Sequence, residues 1–255
     1  MKFFSSELGH NYGSYTFGYC NYCVIEPGDL LGEAYALGYL PYSGSPEAKN
    51  TLYMARSARV VLKKFELTSE NRRIAKKFDG KFEKKAIPIE EFKATEDFYT
   101  FCLSYFAARH GAKAMPRARL EFIMKSRFVT HIIRYTQREK LIGYVLMMRL
   151  PTQTGEVDAE HYWFSFYDLA LARQSLGLWL MLDCIRDAKT AGLEHYYVGT
   201  VYGEKALYKT NFEPLEWWNG SGWSNDTKLL RERSRSDVER IVALTDEWKQ
   251  QRQLI

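Results

Sequence analysis

The chain from about residue 129 onward alternates between strand-like and helix-like hydrophobic patterns. Apolar runs bounded by turn residues predict strands, and the first two form a hairpin around 137–139. The predicted strands cover residues 129–135, 141–150, 161–166, 195–199 and 212–218. Helices over 175–191, ended by Gly192, and over 205–209 separate the later strands. This order predicts an α/β (α+β) fold, a mixed sheet flanked by helices.

Patterns in the first half are more varied. Residues 51–62 alternate well enough to predict one strand, and Thr68-Ser69 offers a candidate N-cap for the helix that follows. The predicted helices cover residues 29–39, 70–78, 90–109 and 116–125. A turn-like stretch from Asp79-Gly80 to Pro88 predicts a domain boundary. We expect an N-terminal domain over 1–87, a sheet domain over 88–225 and an amphipathic tail helix over 226–255, where Ser236 and Glu239 form a capping-box pattern.

Composition indicates a folded protein with a substantial core. The chain has 255 residues, of which 46% are hydrophobic and 15% aromatic. No apolar run reaches the roughly 18 residues that a membrane span needs, and Met1-Lys2-Phe3-Phe4 leads into polar residues without a secretory signal. We therefore expect a cytoplasmic location and no membrane partner.

Positive charge is concentrated in one segment. The whole chain carries a formal net charge of +5, yet residues 56–85 hold eleven Lys or Arg against four acidic residues, a local net charge of +7. Such a patch is typical of a surface that binds a polyanion, because neutralised phosphates release counterions. A solvated, charge-rich helix is the alternative interpretation.

Two motifs resemble the acyltransferases of the GNAT superfamily. The first is a short helix with a tyrosine, followed by an apolar strand, in Gly203-Glu204-Lys205-Ala206-Leu207-Tyr208-Lys209-Thr210-Asn211-Phe212. The second is a turn before the apolar helix, Gln174-Ser175-Leu176-Gly177-Leu178-Trp179, where the superfamily has a glycine-rich turn. Backbone N–H groups at such a turn hold the pyrophosphate of coenzyme A. We expect the Trp179 indole to obstruct that approach, which favours a different acyl donor.

A series of short motifs follows along the second half of the chain: Tyr167-Asp168, Ser175-Leu176-Gly177, Tyr196-Tyr197-Val198-Gly199, Ala206-Leu207-Tyr208-Lys209, Phe212-Glu213-Pro214 and Gly222-Trp223. Upstream, Cys20-x-x-Cys23 precedes Leu37-Gly38-Tyr39, Arg56-Ser57-Ala58-Arg59-Val60 and Asn71-Arg72-Arg73. In motifs and in their order, most of the chain resembles the arginyl/leucyl-tRNA–protein transferase family. The resemblance implies transfer of an arginine-class or leucine-class amino acid from aminoacyl-tRNA to the N-terminal α-amine of a protein or peptide, in the N-degron pathway.

An aminoacyl ester is already activated, and an α-amine has a pKa of roughly 7.7–8.0, so positioning and an acid for the leaving ribose oxygen suffice. Tyr208 is the best candidate for that acid, with a core tyrosine as the alternative. Asp168 is a candidate for orienting or deprotonating the amine, unless it only caps a loop. Tyr202 follows the departure from the family pattern at Gly199-Thr200 and is a further catalytic candidate.

The sequence also gives candidate binding residues. The local charge of +7 over residues 56–85 makes Arg72, Arg73, Lys76 and Lys77 of the basic helix the candidates for binding tRNA. Candidates for the tRNA terminus or the acceptor are Arg59, Arg173, Ser175, Gly177, Tyr197, Gly199 and Lys209. Each cation among them has an ordinary surface role as its alternative.

The cysteine pattern is a weak metal signal. We expect no required cofactor, with a possible metal or iron–sulfur site at Cys20 and Cys23. Family members commonly have a second cysteine pair before the basic strand, where this chain has Met54-Ala55. A reduced structural pair or an oxidation-sensitive switch is the alternative.

Two other functions remain open from the sequence. One is an acetyltransferase that uses acetyl-CoA, and the other is a non-catalytic tRNA-binding protein. The sequence does not identify the transferred amino acid, the acceptor residue or the oligomeric state.

Overall fold

A computed structural model describes residues 1–11 and 16–237 as two sheets with helices packed around the larger one. The strands are β1 (Lys2–Asn11), β2 (Thr16–Val24), β3 (Tyr39–Pro41), β4 (Thr51–Met54), β5 (Ser57–Val61), β6 (Glu83–Pro88), β7 (His131–Gln137), β8 (Lys140–Pro151), β9 (Val157–Tyr167), β10 (His195–Thr200), β11 (Leu215–Trp218) and β12 (Trp223–Ser224). The helices are α1 (Leu31–Ala36), α2 (Ser69–Phe78), α3 (Glu96–His110), α4 (Arg117–Lys125) and α5 (Leu176–Thr190), and a further helix, α6, covers 227–237. Three short 3₁₀ helices are η1 (Leu62–Lys64), η2 (Leu169–Gln174) and η3 (Glu204–Asn211).

The large sheet has eight strands in the order β12-β11-β5-β10-β9-β8-β7-β6. All its pairs are antiparallel except β9 with β10, which α5 connects as a crossover helix. The small sheet has the order β1-β2-β4-β3. The predicted mixed α/β sheet flanked by helices is confirmed.

The large sheet takes strands from both sides of the predicted boundary between residues 87 and 88. β5 lies between β10 and β11, and β6 pairs with β7 along the edge. Phe65 and Phe78 join the same core as Trp179 and Phe166. Residues 57–88 therefore share one sheet and one core with the segment that follows them.

The predicted strand over 51–62 is two strands in the structure. β4 pairs with β2 and β3 of the small sheet, whereas β5 pairs with β10 and β11 of the large one. Ala55 and Arg56 make the break, and the Ala55 N–H donates to the Gly38 carbonyl, 3.2 Å away. Alternation along the chain could not reveal this change of sheet, because both strands have buried faces.

Local capping fixes two helix starts. Thr68 accepts a hydrogen bond from the Asn71 N–H, and the Asn71 side chain accepts one from the Thr68 N–H, which confirms Thr68 as the N-cap of α2. Thr95 accepts from the Phe98 N–H, so α3 begins at Glu96 and not at residue 90 as predicted. The predicted tail helix begins at residue 227, so Ser236 lies within it and not at its start. Glu239, the predicted capping-box partner of Ser236, lies outside the described residues.

Within the described part of the chain, no helix is both long and apolar enough to cross a membrane.

Candidate active site

The large sheet splits where its two parallel strands separate. β9 and β10 pair only through Ala159–His161 and His195–Tyr197. Beyond these residues β9 continues beside β8 as far as Tyr167, while β10 continues beside β5 as far as Thr200. The two strands diverge, and their backbone and side chains become accessible from the gap.

A cavity of about 980 Å³ opens at this gap. Its walls come from β9, β10, α3, α5, η3 and the segment after β3. Nine aromatic residues line it: Tyr42, Tyr53, Tyr105, Phe106, Tyr162, Trp163, Phe164, Tyr167 and Tyr208. The basic residues of the lining are Arg109, His110, Arg119, His161, Lys205 and Lys209. Among the residues that the structure describes, no Asp or Glu lines the cavity.

Tyr208 faces the cavity from η3, as the sequence predicted, although the element is a 3₁₀ helix. The residue leaves 40% of its surface exposed, so its ring is not a core side chain. Its hydroxyl lies in a crowded place, where burial raises the pKa of Tyr208 to about 12, with a smaller increase from Tyr167 and an opposing effect of Arg109. The phenol is therefore protonated at neutral pH and can donate a hydrogen bond or a proton.

The start of α5 forms another wall of the cavity. Ser175, in the left-handed conformation (φ 70°), and Gly177 both line it. A Cβ at Gly177 would lie 2.5 Å from the Tyr167 hydroxyl oxygen, so this glycine lets the tyrosine approach the first turn of the helix.

Lys209 and Gly199 lie together at the inner end. The Lys209 ammonium donates to the Thr200 carbonyl oxygen over 2.7 Å. A Cβ at Gly199 (φ +81°) would lie 3.5 Å from Nζ of Lys209 and 3.8 Å from Nε2 of His161. Burial lowers the pKa of Lys209 to about 8.

Asp168 and Arg173, predicted for the amine and for substrate, lie outside the cavity lining. Asp168 is the N-cap of η2: one carboxylate oxygen accepts from the Ala170 N–H and the other pairs with Lys140 at 2.8 Å. The hydrogen bond from Lys140 lowers the pKa of Asp168. These contacts agree with the alternative interpretation of the sequence, in which Asp168 only caps a loop. Arg173 is exposed on η2.

Tyr202, Tyr197 and Arg59 also lie outside the lining that the described residues form. The Tyr202 hydroxyl accepts from the Arg56 N–H at 2.9 Å. Tyr197 is buried edge-on against Tyr35, and Arg59 is paired with Glu216 and stacked over Trp223. These contacts give all three residues structural partners away from Tyr208.

The cations predicted to bind tRNA lie on α2, away from the cavity. Arg72, Arg73 and Lys76 are exposed, and Arg73 is paired with Glu70. The helix packs on the side of α5 that carries Trp179 and Arg186, both of which hydrogen-bond to Asp79. The cavity meets the other side of α5, through Gly177, Leu178 and Met181.

The same contacts correct the expectation for Trp179. Its indole is buried among Phe78, Phe82 and Tyr135, and its N–H donates to Asp79 over 2.8 Å. It therefore does not fill the turn before α5, and the prediction that it obstructs a pyrophosphate there was wrong. Its position in the helix directs it toward α2, which sequence spacing from the turn did not reveal.

Cys20 and Cys23 lie on β2, and their arrangement does not fit a metal. Residues three apart on a strand point to opposite faces of the sheet. Cys23 is buried, and burial raises the pKa of its thiol, which disfavours the thiolate that a metal needs. In the described parts of the chain no group of three or more His, Cys, Asp or Glu side chains is arranged to hold a metal ion.

The lining residues that sequence reasoning did not assign to the site include Tyr105, Arg109, Arg119, His161 and Tyr167. Tyr105 and Arg109 lie four residues apart on one side of α3, a spacing that was visible in the sequence. His161 had no such signal, because its partner Tyr35 is 126 residues away.

Comparisons with known proteins find similar sequences and solved structures. Residues 97–219 match the family described as "Arginine-tRNA-protein transferase, C terminus". An aspartate/glutamate leucyltransferase of Methylorubrum extorquens (strain PA1) is 31% identical over 180 residues, 66% of this chain and 70% of that protein. Another, of Phenylobacterium zucineum (strain HLK1), is 31% identical over 142 residues, 53% of this chain and 55% of that protein. A solved structure, the C-terminal domain of a lysylphosphatidylglycerol synthetase from Agrobacterium fabrum, covers 62% of this chain and 50% of its own, with 15% identity and a TM-score of 0.42.

The family match and the sequence relatives identify an acyl transferase that uses aminoacyl-tRNA as its donor. The chain belongs to the arginyl/leucyl-tRNA–protein transferase family.

Proposed function

We propose that this chain transfers leucine, or a similar apolar amino acid, from charged tRNA to the N-terminal α-amine of proteins that begin with aspartate or glutamate, in the cytoplasm. The observation that carries the proposal is the charge of the cavity. Arg109, Arg119, Lys205 and Lys209 line it, and no carboxylate does so among the described residues.

This charge pattern discriminates between the two amino-acid classes. An arginine side chain entering the cavity would bring a guanidinium beside other cations, with no carboxylate of the described residues there to pair with it. Burying an unpaired charge is costly, whereas an apolar side chain gains free energy from burial. Phe106, Leu178 and Met181 offer the contacts that a leucine side chain needs.

The same cations suit an acidic acceptor. A carboxylate at the first residue of the acceptor would form charge-assisted hydrogen bonds with an Arg or Lys of the lining. Asn or Gln at that place would lose the charge and most of this attraction. The relatives named aspartate/glutamate leucyltransferases support this choice of donor and acceptor.

The tRNA terminus would enter through the aromatic part of the lining. Unpaired bases stack on aromatic side chains, each stack contributing about 1–3 kcal/mol, and the phosphates between them attract cations. Nine aromatic residues and four cations in one cavity provide both kinds of contact. The exposed cations of α2 would bind phosphates farther along the tRNA, since tRNA is much larger than the cavity.

The chemistry requires little beyond positioning. The acceptor amine attacks the ester carbon, and the bond from that carbon to the ribose 3′-oxygen breaks. Tyr208, protonated at neutral pH, would donate a proton to the departing oxygen. No metal is needed in this scheme, because the ester is already activated.

The test is a matrix of donors and acceptors. Purified protein is incubated with radiolabelled leucyl-tRNA or arginyl-tRNA and with peptides that differ only in a first residue of Asp, Glu, Asn, Gln or Ala. We expect transfer from leucyl-tRNA to the Asp and Glu peptides. Arginine transfer of equal rate would contradict the donor assignment, and equal rates on Asp and Asn peptides would contradict the acceptor assignment.

Calorimetry with coenzyme A is a parallel test of the acetyltransferase alternative. Saturable binding of coenzyme A together with absent aminoacyl transfer would overturn the proposal. Tight tRNA binding without transfer of either amino acid would instead favour a binding protein.

A further inference from the structure

Three polar side chains meet at the inner end of the cavity, where β9 and β10 separate. Tyr35 comes from α1, His161 from β9 and Lys209 from η3. Tyr35 and His161 are 0% and 1% exposed, respectively, so neither is a surface group. Polar groups buried this deeply need partners, and their bonding limits what each atom can do.

The hydrogen bonds favour one tautomer of the histidine. The Tyr35 hydroxyl lies 2.8 Å from Nδ1 of His161 and 3.2 Å from the sulfur of Met148. The sulfur can only accept, so the arrangement that satisfies all three atoms sends the hydroxyl hydrogen to the sulfur and has Nδ1–H of His161 donate to the Tyr35 oxygen. His161 is held neutral, since burial lowers its pKa to about 3. In this tautomer Nε2 has a lone pair.

That lone pair is unused by the described residues. Nε2 of His161 is buried and has no hydrogen-bond partner among them, although the residue lines the cavity. An acceptor without a donor in this place is suited to an N–H that a substrate supplies. The Lys209 nitrogen lies on the same side, since a Cβ at Gly199 would contact both nitrogens.

Lys209 has the setting of a base. It donates one N–H to the Thr200 carbonyl, and the lining has no carboxylate among the described residues to stabilise its charge. Burial lowers its pKa to about 8, so about a tenth of the molecules have a neutral Lys209 at pH 7. Because burial destabilises the charged form of such a lysine, its neutral amine is populated near neutral pH and can accept a proton.

Resting on the function proposed above, we infer that Lys209 is the base that takes a proton from the acceptor's α-ammonium group, while Nε2 of His161 accepts an N–H of the same nitrogen and orients it. This assigns Lys209 a role in proton transfer, whereas the sequence indicated substrate binding.

The protons balance over the reaction. The α-ammonium gives one proton to the neutral Nζ of Lys209, and the resulting amine forms a bond to the ester carbon as the carbonyl electron pair moves to oxygen. When that pair returns, the carbon–O3′ bond breaks. Tyr208 gives its proton to the departing O3′, and the second proton lost from the attacking nitrogen then returns to the Tyr208 oxygen. Lys209 then releases its proton to water, so one proton leaves overall.

Several groups surround Lys209 in the cavity. His161 on β9 is neutral, and Tyr208 on η3 places its ring centroid 5.9 Å from Nζ. The other titratable groups of the cavity are Tyr42, Tyr53, Tyr105, Arg109, His110, Arg119, Tyr162, Tyr167 and Lys205. Among the described residues this set contains no carboxylate that would stabilise the ammonium, and burial lowers the pKa of Lys209.

The test separates the base from a mere binding cation. Single-turnover transfer of leucine is measured for wild type, Lys209→Met and Lys209→Arg with two acceptors, one with an ordinary α-amine and one with an N-terminal aminooxy group. The aminooxy nitrogen is unprotonated at neutral pH and needs no base to become nucleophilic. Lys209→Arg keeps a cation that can bond to Thr200 but stays protonated, so it guards against a fold failure in the methionine variant.

We expect both variants to lose about tenfold in rate with the α-amine at pH 7, where about a tenth of that amine is already neutral without a base, and less than about twofold with the aminooxy acceptor. His161→Asn and Tyr35→Phe should raise the KM for the acceptor more than they lower kcat. Lys228→Met, on the exposed face of α6, is the matched control and should behave as wild type.

The outcomes distinguish the proposed function from the role of Lys209 as a base. If wild type transfers leucine and both lysine variants keep its rate with the α-amine, the role of Lys209 is overturned and the proposed function stands. Equal losses with both acceptors also overturn it, because they indicate a binding or structural role. Wild type that transfers no amino acid overturns the proposed function and this inference with it.

Discussion

The Tyr167 hydroxyl lies so close to the first turn of α5 that a Cβ at Gly177 would stand only 2.5 Å from its oxygen. Both residues line the cavity, and Tyr167 is otherwise buried against Tyr105. Because Gly177 has no side chain, the end of β9 can pack closely against the start of the crossover helix at the place where the sheet splits. Any side chain at position 177 must move the tyrosine ring or the helix.

Gly177→Ala should therefore reduce transfer and destabilise the protein by about 1–3 kcal/mol, the usual cost of overpacking. Urea unfolding and single-turnover rates measure both effects. Gly32→Ala is the control, because a Cβ there meets nothing within 4 Å and alanine favours helix α1. Equal behaviour of the two variants would show that the first turn of α5 tolerates a methyl group.

Tyr208→Phe should lower the rate of transfer by about 10²–10⁴-fold while tRNA affinity and thermal stability remain close to wild type. The reason is that the ring stays and only the hydroxyl, which faces the cavity, is removed. Tyr202→Phe removes a hydroxyl outside the lining that the described residues form and serves as the matched comparison. If Tyr208→Phe is as fast as wild type, the acid is another hydroxyl or a water.

Reversing the charges of Arg72, Arg73 and Lys76 together should weaken tRNA binding and flatten its dependence on salt. Each phosphate that the variant no longer neutralises lowers the slope of log K against log salt by about 0.7–0.9. Fluorescence titrations at several salt concentrations give the slope. A control reverses three exposed cations elsewhere, Lys113, Lys125 and Arg127. An unchanged slope in the α2 variant, or the same change in both, would remove α2 from the tRNA-binding surface.

Asp237 holds the segment that carries Tyr208 and Lys209. Its carboxylate accepts from the Gly203 N–H at 2.8 Å and forms two hydrogen bonds with Arg56, at 2.8 and 3.0 Å. Asp237→Ala should cost about 3–5 kcal/mol of stability, because the largely buried Arg56 guanidinium loses its charge partner, and it should slow transfer by loosening the start of η3.

A double-mutant cycle with Arg56→Met checks this. If the pair acts together, adding Arg56→Met to Asp237→Ala should recover part of the stability, whereas additive losses would contradict the coupling.

His131 should make stability depend on pH. Burial lowers its pKa in the folded protein to about 4, below the roughly 6.5 of an unfolded chain. Above pH 6.5 the imidazole is neutral in both the folded and the unfolded chain, so His131 adds no pH dependence to stability there. As the pH drops from about 6 toward 4, the free energy of unfolding falls by about 1.4 kcal/mol per pH unit, because the unfolded chain binds the extra proton. Urea unfolding of wild type and His131→Asn measures the difference, which cancels the carboxylates common to both. Identical pH slopes would contradict the expectation.

Local patterns were sufficient for much of the sheet. Apolar alternation predicted β7, β8 and β10 to within two residues at either end, and glycine placed the end of α5, because strand and helix periodicities are properties of the local backbone. The resemblance to the family's motifs gave Tyr208, Ser175, Gly177, Gly199 and Lys209, which the structure brings to one cavity.

Periodicity failed where partners determined the outcome. It missed β6, because the residues of that strand are largely exposed at the sheet edge and show no apolar alternation. It joined β4 and β5 into one strand, because the alternation of apolar residues does not show where the chain passes from one sheet to the other. The family resemblance placed Asp168, Tyr202, Arg59, Arg173 and Tyr197 near the reaction, whereas the described residues form a cavity without them.

The sequence by itself determined the order of strands and helices from β7 to β11, the family and the tyrosine on η3, since these depend on residues close together along the chain. Only the tertiary structure decided that β9 and β10 diverge, that Trp179 turns toward α2, and that Tyr35 meets His161 across 126 positions. Such contacts depend on how distant segments pack, and so does the accumulation of cations without a carboxylate among the described residues of the cavity. The chemistry of the site is therefore a property of the packed sheet, and the chain order alone does not contain it.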